Sequence, residues 1–129
     1  MKLSYTIMYV TDVAKTLEFY NEAFGFEIKF ITPENDYGEL TTGDVTLSFA
    51  NHTLASSNFK SKYTQSDLQN SPFGVEIGIT TDDVESAVKQ AIDFGASLFE
   101  DVATKPWGQK VAYVRDINGF LVEICTPIA

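Results

Sequence analysis

Two glutamates lie inside predicted β-strands, where a carboxylate is an unusual residue. Glu123 falls in the alternating run Phe120 to Thr126, and Glu76 falls in the run Gly74 to Thr80. Successive side chains of a strand point to opposite faces, so each glutamate lies opposite its bulky apolar neighbours. We expect the two carboxylates to share one pocket, where their repulsion raises the pKa of at least one of them. The alternative is a solvent-facing sheet surface, which antiparallel sheets often have.

Other residues on the same predicted faces could complete a binding site. Several of them are small, and small side chains along a sheet face are expected to leave a hollow. Trp107 precedes the last hairpin in a turn-rich loop, where its ring could stack on a flat or cationic ligand or could cover the helix layer. The predicted ligand-binding residues are Tyr5, Tyr9, Ser48, Glu76, Trp107 and Glu123.

No catalytic residue is assigned, because the sequence has no recognisable nucleophile–base pair, phosphate loop or cofactor fingerprint. Cys125 has no neighbouring histidine to lower its pKa and is interpreted as a packing residue. The only histidine, His52, follows a strand and is interpreted as a surface residue. Transition metals prefer imidazole together with carboxylate, so we expect no metal or other cofactor. If a divalent metal does bind, Glu76 and Glu123 are its predicted ligands.

Composition limits the partners. The chain has 129 residues, a net charge of -9 and a pI of about 4.4. Such an acidic chain is a poor partner for nucleic acid, and its field favours a cationic small ligand, although solubility alone is the commoner reason for an acidic composition. One cysteine excludes an internal disulfide and fits a reducing cytosol. With no long apolar run and no signal-peptide pattern, we expect a cytoplasmic protein without a membrane partner.

Hydrophobic periodicity predicts two helices and eight strands. The helices are Val13 to Phe24, capped by Asp12 and Gly25, and Val84 to Phe94, capped by Asp82-Asp83 and Gly95. The strands are Leu3–Val10, Phe26–Thr32, Glu39–Thr42, Val45–Asn51, Gly74–Thr80, Ala96–Glu100, Val111–Val114 and Phe120–Thr126. Turns are predicted at Asp36-Tyr37-Gly38, Gly43-Asp44 and Asn118-Gly119, the last because both of its residues tolerate positive φ.

The order of these elements repeats. Asp12 corresponds to Asp83 at an offset of 71 residues, and Gly25 corresponds to Gly95 at an offset of 70. The repeat predicts an α+β fold of two tandem βαβββ modules, residues 1–51 and 73–129, within a single domain 1–129. The polar segment 52–72 between them is either a lid or a plain connection.

Several of these runs together resemble a known family. They are Tyr9 to Val13, Leu17 to Tyr20, Phe24 to Phe26, and Arg115 to Gly119 followed by Glu123. The chain resembles the vicinal oxygen chelate superfamily, which includes glyoxalases, bleomycin resistance proteins and extradiol dioxygenases. The resemblance implies that the modules form an open, curved mixed sheet around a cavity, commonly completed by a dimer partner.

The resemblance also implies where a metal would bind. In metal-using members four positions supply ligands, and they fall here at Tyr5, Ser48, Glu76 and Glu123. Only Glu123 matches the glyoxalase-like pattern. The chain therefore looks like the bleomycin-resistance branch, a metal-free, antibiotic-resistance type of protein that sequesters a cationic or aromatic compound. The alternative is a metal-dependent, glyoxalase-like lyase, isomerase or transferase acting on a small oxygenated substrate. Aromatic walls would come from Tyr5, Tyr9, Phe59 and Tyr63.

The resemblance yields a prediction about oligomeric state. A half-open sheet with exposed aromatic residues should close against a second copy in a twofold homodimer. Tyr5 and Ser48 of one subunit would then face Glu76 and Glu123 of the other. We expect sedimentation velocity to give a dimer at micromolar concentration, and a monomer there would contradict the prediction.

Overall fold

The computed structural model describes residues 1–128, which divide into two compact units, Met1–Gln65 and the chain from Ser66 onward. The first unit contains β1 (Thr6–Val10), α1 (Val13–Phe24), β2 (Glu27–Ile31), β3 (Tyr37–Thr41), β4 (Thr46–Asn51) and α2 (His52–Ser57). The second contains β5 (Glu76–Thr80), α3 (Val84–Asp93), β6 (Ser97–Thr104), β7 (Lys110–Arg115) and β8 (Leu121–Cys125).

Each unit has one four-stranded sheet with the same topology. The strand orders are β1-β4-β3-β2 and β5-β8-β7-β6. In both sheets the first and last strands pair in parallel, and the other neighbours pair antiparallel. The shared order confirms the predicted duplication of a βαβββ module.

The first helix forms where the sequence predicts it. The carboxylate of Asp12 accepts a hydrogen bond from the Lys15 backbone N–H at 3.0 Å, and Gly25 ends the helix with φ 75°. One face of α1 is buried, with Leu17 and Tyr20 in the core, where the Tyr20 ring stacks on Phe49 of β4 at 5.3 Å. Burying such a side chain stabilises the fold by about 1.5–3 kcal/mol.

The third helix packs in the same way. Asp83 caps α3 by accepting a hydrogen bond from the Ser86 backbone N–H at 3.1 Å, and the helix ends at Asp93, one residue before its predicted end. Its buried face lies against β6, β7 and β8. On β8 the predicted alternation is confirmed, because Val122 and Ile124 are completely buried while Glu123 is half-buried on the other face.

The turn that joins β7 to β8 differs from the prediction in one respect. Gly119 has φ 92°, but Asn118 keeps negative φ. The turn spans Asp116 to Gly119, closed by the Gly119 N–H donating to the Asp116 carbonyl at 3.1 Å. The buried carboxylate of Asp116 accepts from the backbone N–H groups of Asn118 and Phe120 at 2.8 and 2.9 Å. These bonds hold a wider turn than the predicted two-residue one.

Residues 66 and 67, part of the predicted connecting segment, are fastened to this turn. Ser66 Oγ donates to the Asn118 carbonyl at 2.9 Å, and Arg115 Nη2 donates to the Asp67 carbonyl at 3.0 Å. A β-carbon on Gly119 would lie 2.7 Å from the Asp67 backbone. Gly119 is therefore required both by its positive φ and by this close approach.

The prediction of a turn at Asp36-Tyr37-Gly38 is wrong for its last two residues, which belong to β3. A β-carbon on Gly38 would lie 2.5 Å from Leu17 Cδ1. The glycine is thus needed for close packing of β3 on α1, whereas the sequence pattern made it resemble a turn residue.

Two other strand boundaries differ by three residues or more. The first strand begins at Thr6, not at Leu3, because its parallel partner β4 begins at Thr46 and Thr6 pairs with Leu47. The strand predicted to end at Glu100 continues to Thr104, since its pairing with β7 resumes after register shifts.

The helices of residues 1–128 are short. The longest, α1, has 12 residues, and no helix in this part of the chain is long and apolar enough to cross a membrane.

We predict that Gly119→Ala destabilises the protein by about 1–3 kcal/mol, because alanine is strained at positive φ. The clash with the Asp67 backbone adds to this strain. Chemical denaturation should reveal the loss. Gly74→Ala is the matched control, since a β-carbon there meets no atom within 4 Å and φ is not positive. Equal stability of the two variants would contradict the prediction.

Candidate functional site

The two strand glutamates meet on one face of the second unit. Gly78 of β5 lies directly opposite Glu123 of the parallel strand β8. Glu76 is two residues before Gly78, so both carboxylates point to the same side of the sheet. Because Gly78 has no side chain, nothing stands between them. We call Glu76 and Glu123 the carboxylate pair.

The carboxylate pair shares a hydrogen bond. That bond with Glu123 is the largest cause that raises the pKa of Glu76 to about 7, followed by partial burial and by the charge of Glu123. Glu76 is an exposed residue, so the neighbouring carboxylate matters more than the loss of solvent. At neutral pH the pair therefore holds a proton for part of the time.

The groups around the carboxylate pair are held in their neutral forms. Burial, followed by the charge of Glu123, raises the pKa of Tyr113, which lies opposite Glu123 in the β7–β8 ladder. Burial also raises the pKa of the Cys125 thiol, with a further contribution from Glu123. A thiol with a raised pKa is a poor nucleophile at neutral pH. The face offers two acidic groups, a phenol and a thiol, which suit binding of a positive charge.

The predicted residues of the first unit lie on the corresponding face, although the predicted hollow there is wrong. Tyr5 precedes β1 and is 54% exposed, whereas Ser48 is 0% exposed. Ala50 is also buried. The space above these small residues is filled by Tyr37, which lies directly opposite Ala50 on β3.

Tyr37 and Glu39 are site residues that the sequence analysis missed. The phenol of Tyr37 donates to Glu39 Oε2 at 2.7 Å, and Lys29 Nζ lies 3.7 Å from Glu39 Oε1. Burial raises the pKa of Tyr37, the charges of Glu39 and Tyr5 raise it further, and the Ser48 hydroxyl lowers it. The alternation of Tyr37, Glu39 and Thr41 could have placed Tyr37 and Glu39 on one face of a strand. It was overlooked because Tyr37 was predicted to lie in a turn.

The two units differ in chemistry at matching ladder positions. Ile7, Ser48 and Glu39 lie side by side across β1, β4 and β3. The second unit has Gly78, Glu123 and Tyr113 at the corresponding positions of β5, β8 and β7. Each unit thus has one carboxylate in this row, on β3 in the first and on β8 in the second.

Tyr9 belongs to a separate aromatic cluster of the first unit. Its ring lies 5.0 Å from the ring of Tyr63 and 6.4 Å from that of Phe59, both from the segment that follows α2. His52 Nδ1 lies 2.6 Å from the Tyr63 hydroxyl, and burial lowers the pKa of His52. The cluster secures the segment after α2 to β1, and the predicted surface histidine is partly buried in it.

Trp107 lies in the β6–β7 hairpin of the second unit and is 66% exposed. Its indole N–H donates to Gln109 Oε1 at 2.9 Å, and Gln109 Nε2 donates to the Thr126 carbonyl at 2.8 Å. This fixed ring is one wall of an open cavity of about 300 Å³ lined by Trp107, Gly108, Gln109, Thr126, Pro127 and Ile128. The side chain of Gln109 also approaches the Cys125 thiol and lowers its pKa. The geometry leaves Trp107 free to contact a ligand.

The donor groups do not fit the transition metal that the resemblance associates with this type of site. Among residues 1–128, no three His, Cys, Asp or Glu side chains cluster in a way that could hold a metal ion. The carboxylate pair has no imidazole beside it among the described residues. Such metals prefer nitrogen or sulfur ligands together with carboxylate.

Two βαβββ units, each with its first strand parallel to its last, define the class of fold. The chain belongs to the Glyoxalase/Bleomycin resistance protein/Dioxygenase superfamily, whose family model matches residues 2–124. This membership confirms the resemblance stated from the sequence. No curated protein gives a match.

Solved structures share the fold at low sequence identity. A glyoxalase-related enzyme from Fulvimarina pelagi superposes with a TM-score of 0.83 at 15% identity, covering 98% of this chain and 88% of that one. A hypothetical protein from S. aureus superposes with a TM-score of 0.81 at 17% identity, covering 98% of this chain and 95% of that one. A glyoxalase/bleomycin resistance protein/dioxygenase family enzyme from Burkholderia phytofirmans PsJN gives 0.76 at 20% identity, with both chains fully covered. At these identities the similarity concerns the fold alone.

The carboxylate pair makes stability depend on pH in a definite direction. With a folded pKa of about 7 against an ordinary 4.5, Glu76 binds more protons in the folded than in the unfolded chain between these values. The contribution of Glu76 to the free energy of unfolding is therefore complete below pH 4.5 and is lost as the pH rises through 7. We predict that Glu76→Gln, whose amide donates to Glu123 at every pH, is more stable than the parent at pH 8, by about 1 kcal/mol at most after solvent screening.

Denaturation at pH 5, 6.5 and 8 checks this prediction, with the difference between variant and parent growing as pH rises. Glu18→Gln, on the exposed side of α1, removes the same charge elsewhere and serves as the control. A difference that is constant with pH would show that the carboxylates do not share a proton.

Proposed function

We propose that the protein binds and sequesters a small cationic or aromatic molecule on the faces described above, without a metal, in the manner of a bleomycin resistance protein. The carboxylate pair carries the proposal. Two hydrogen-bonded carboxylates on an open sheet face repel each other once both are ionised, and a cation relieves that repulsion. Binding of a positive charge is thus favoured over binding of a neutral group.

Three further features support a cation as the ligand. The chain carries a net charge of -9, and such a field concentrates cations near the protein. Trp107 offers an exposed ring that is fixed by Gln109, and aromatic rings bind cations on their faces. The phenol of Tyr113 and the thiol of Cys125 keep their protons, so they add hydrogen-bonding groups without adding charge.

A metal-dependent lyase, isomerase or transferase is the competing function. It requires a bound transition metal, and the donor set favours it less than cation binding. Elemental analysis of purified protein after mild dialysis separates the two functions. Stoichiometric nickel, zinc, manganese or iron would remove the main support for sequestration.

We predict that 1-methylquinolinium, a planar cation, binds more tightly than neutral quinoline at pH 8. The expected affinity of the cation falls by about tenfold when Glu123 is replaced by glutamine, which matches the loss of one charge-assisted contact. Isothermal titration calorimetry measures both ligands on both proteins. Glu18→Gln should bind the cation as the parent does, because it lies outside the site.

Proton release provides an independent readout of the same site. At pH 6.5 the carboxylate pair holds a proton that a bound cation expels, so the measured heat should depend on the ionisation enthalpy of the buffer. The cation should also bind more weakly at pH 5 than at pH 8. An affinity independent of both pH and Glu123 would contradict the proposed function.

A further inference from the structure

The hydroxyl group of Tyr37 occupies the centre of the first unit's face. It donates to Glu39 Oε2 at 2.7 Å and also interacts with Ser48 and Tyr5. Tyr37 starts from the ladder position opposite Ala50, whereas Ser48 lies opposite Glu39 in the next row. To reach these groups, the side chain of Tyr37 must cross above Ser48. Tyr37 therefore covers the serine.

Ser48 is an unusual residue beneath this cover. It is fully buried, and its Oγ is the buried side-chain oxygen that lacks a hydrogen-bond partner of normal geometry within residues 1–128. The Ser48 hydroxyl lies close enough to the Tyr37 phenol to lower the pKa of Tyr37, but the two groups do not form a hydrogen bond of normal geometry. Buried hydroxyl groups in proteins are nearly always hydrogen-bonded, so an unsatisfied one points to a partner that is missing.

We propose that this face binds a hydroxyl group of a ligand, an alcohol or a phenol, between Glu39 and Ser48, in the space that the Tyr37 side chain now covers. The ligand hydroxyl donates to Glu39 and accepts from Ser48 Oγ–H, which satisfies both groups at once. The Tyr37 phenol is a substitute for the ligand hydroxyl in the empty protein and swings away on binding. The inference rests on the proposed binding function and adds a chemical requirement for the ligand.

The charges on this face favour a neutral hydroxyl over a charged group. Glu39 would repel an anion, and Lys29 Nζ, 3.7 Å from Glu39 Oε1, would repel a cation. The side chain of Glu39 is only 14% exposed, which strengthens its repulsion of an anion. Phe30, whose ring lies 6.0 Å from that of Tyr37, gives an apolar wall for the remainder of the ligand.

The test is a titration of the full isotope-labelled chain with phenol and with anisole, followed by NMR. Anisole keeps the ring and the oxygen but cannot donate. We expect phenol to shift the backbone signals of Tyr37, Glu39 and Ser48 and to bind about tenfold more tightly than anisole, as one hydrogen bond to a charged group would give. Equal binding of the two probes would overturn the proposal.

Two variants should change phenol binding in opposite directions. Tyr37→Phe removes the bond that the ligand must displace, so phenol should bind about fivefold more tightly. Ser48→Ala removes one ligand contact, so phenol should bind about fivefold more weakly while anisole is unaffected. If Tyr37 had only a structural role, Tyr37→Phe would not raise the affinity, and that result would also overturn the proposal.

The outcome can be separated from that of the cation site. Phenol carries no charge and 1-methylquinolinium has no hydroxyl group, so each probe reports on its own site, and Glu18→Gln, outside both faces, should leave the binding of both probes unchanged. Thermal unfolding confirms that each variant is folded. Should Tyr37→Phe fail to fold, Ser48→Ala still decides, since it removes an unsatisfied buried hydroxyl and leaves the packing of Tyr37 in place.

Discussion

The parallel pairing of the first and last strands in each unit determines what the protein can do chemically. It brings residues from opposite ends of a module into one ladder, so that Gly78 and Glu123 become direct neighbours. Without this register Glu76 on β5 and Glu123 on β8 would not lie close enough to share a proton. The helices α1 and α3 maintain the register, because each buries its apolar face against the sheet of its own unit.

The two units share one strand order but differ in the residues at matching ladder positions. The first unit has Ser48 where the second has Glu123, and its own carboxylate, Glu39, lies one strand away. Lys29 and the Tyr37 phenol contact Glu39, whereas within residues 1–128 the carboxylate pair of the second unit forms no ion pair with a lysine or arginine. The two faces consequently differ in charge, with one carboxylate paired to a lysine and the other hydrogen-bonded to a second carboxylate.

The sequence predicted the elements well where local signals and tertiary packing agree. The helix from Val13 to Phe24 was predicted to the residue, because Asp12 and Gly25 are strong terminal signals with no competing constraint. The meeting of Glu76 and Glu123 followed from alternation in two strands combined with the internal repeat. The helix caps and the strand alternation can be recognised in the sequence without knowledge of tertiary contacts.

The misses at Gly38 and at Ser48 and Ala50 share one physical cause, which is packing between residues distant in the sequence. The miss at Asn118 has a local cause. Gly38 resembled a turn residue, although it is small in order to admit Leu17 of the helix. Ser48 and Ala50 suggested a hollow, yet a long side chain from a neighbouring strand fills it. Asn118 keeps negative φ because buried Asp116 holds both backbone N–H groups of a wider turn.

The parallel strand pairing also has a consequence for how the chain acquires its structure. Thr6 pairs with Leu47, and Glu76 pairs with Leu121, so each sheet closes over a loop of about 40 residues whose entropy must be lost before the pairing is gained. Contacts of this separation slow folding relative to a helical bundle of equal size. During synthesis the first unit can complete its sheet once Asn51 has left the ribosome. The second cannot do so until Cys125 has emerged, and until then the edge of β5 that later pairs with β8 stays open to other chains.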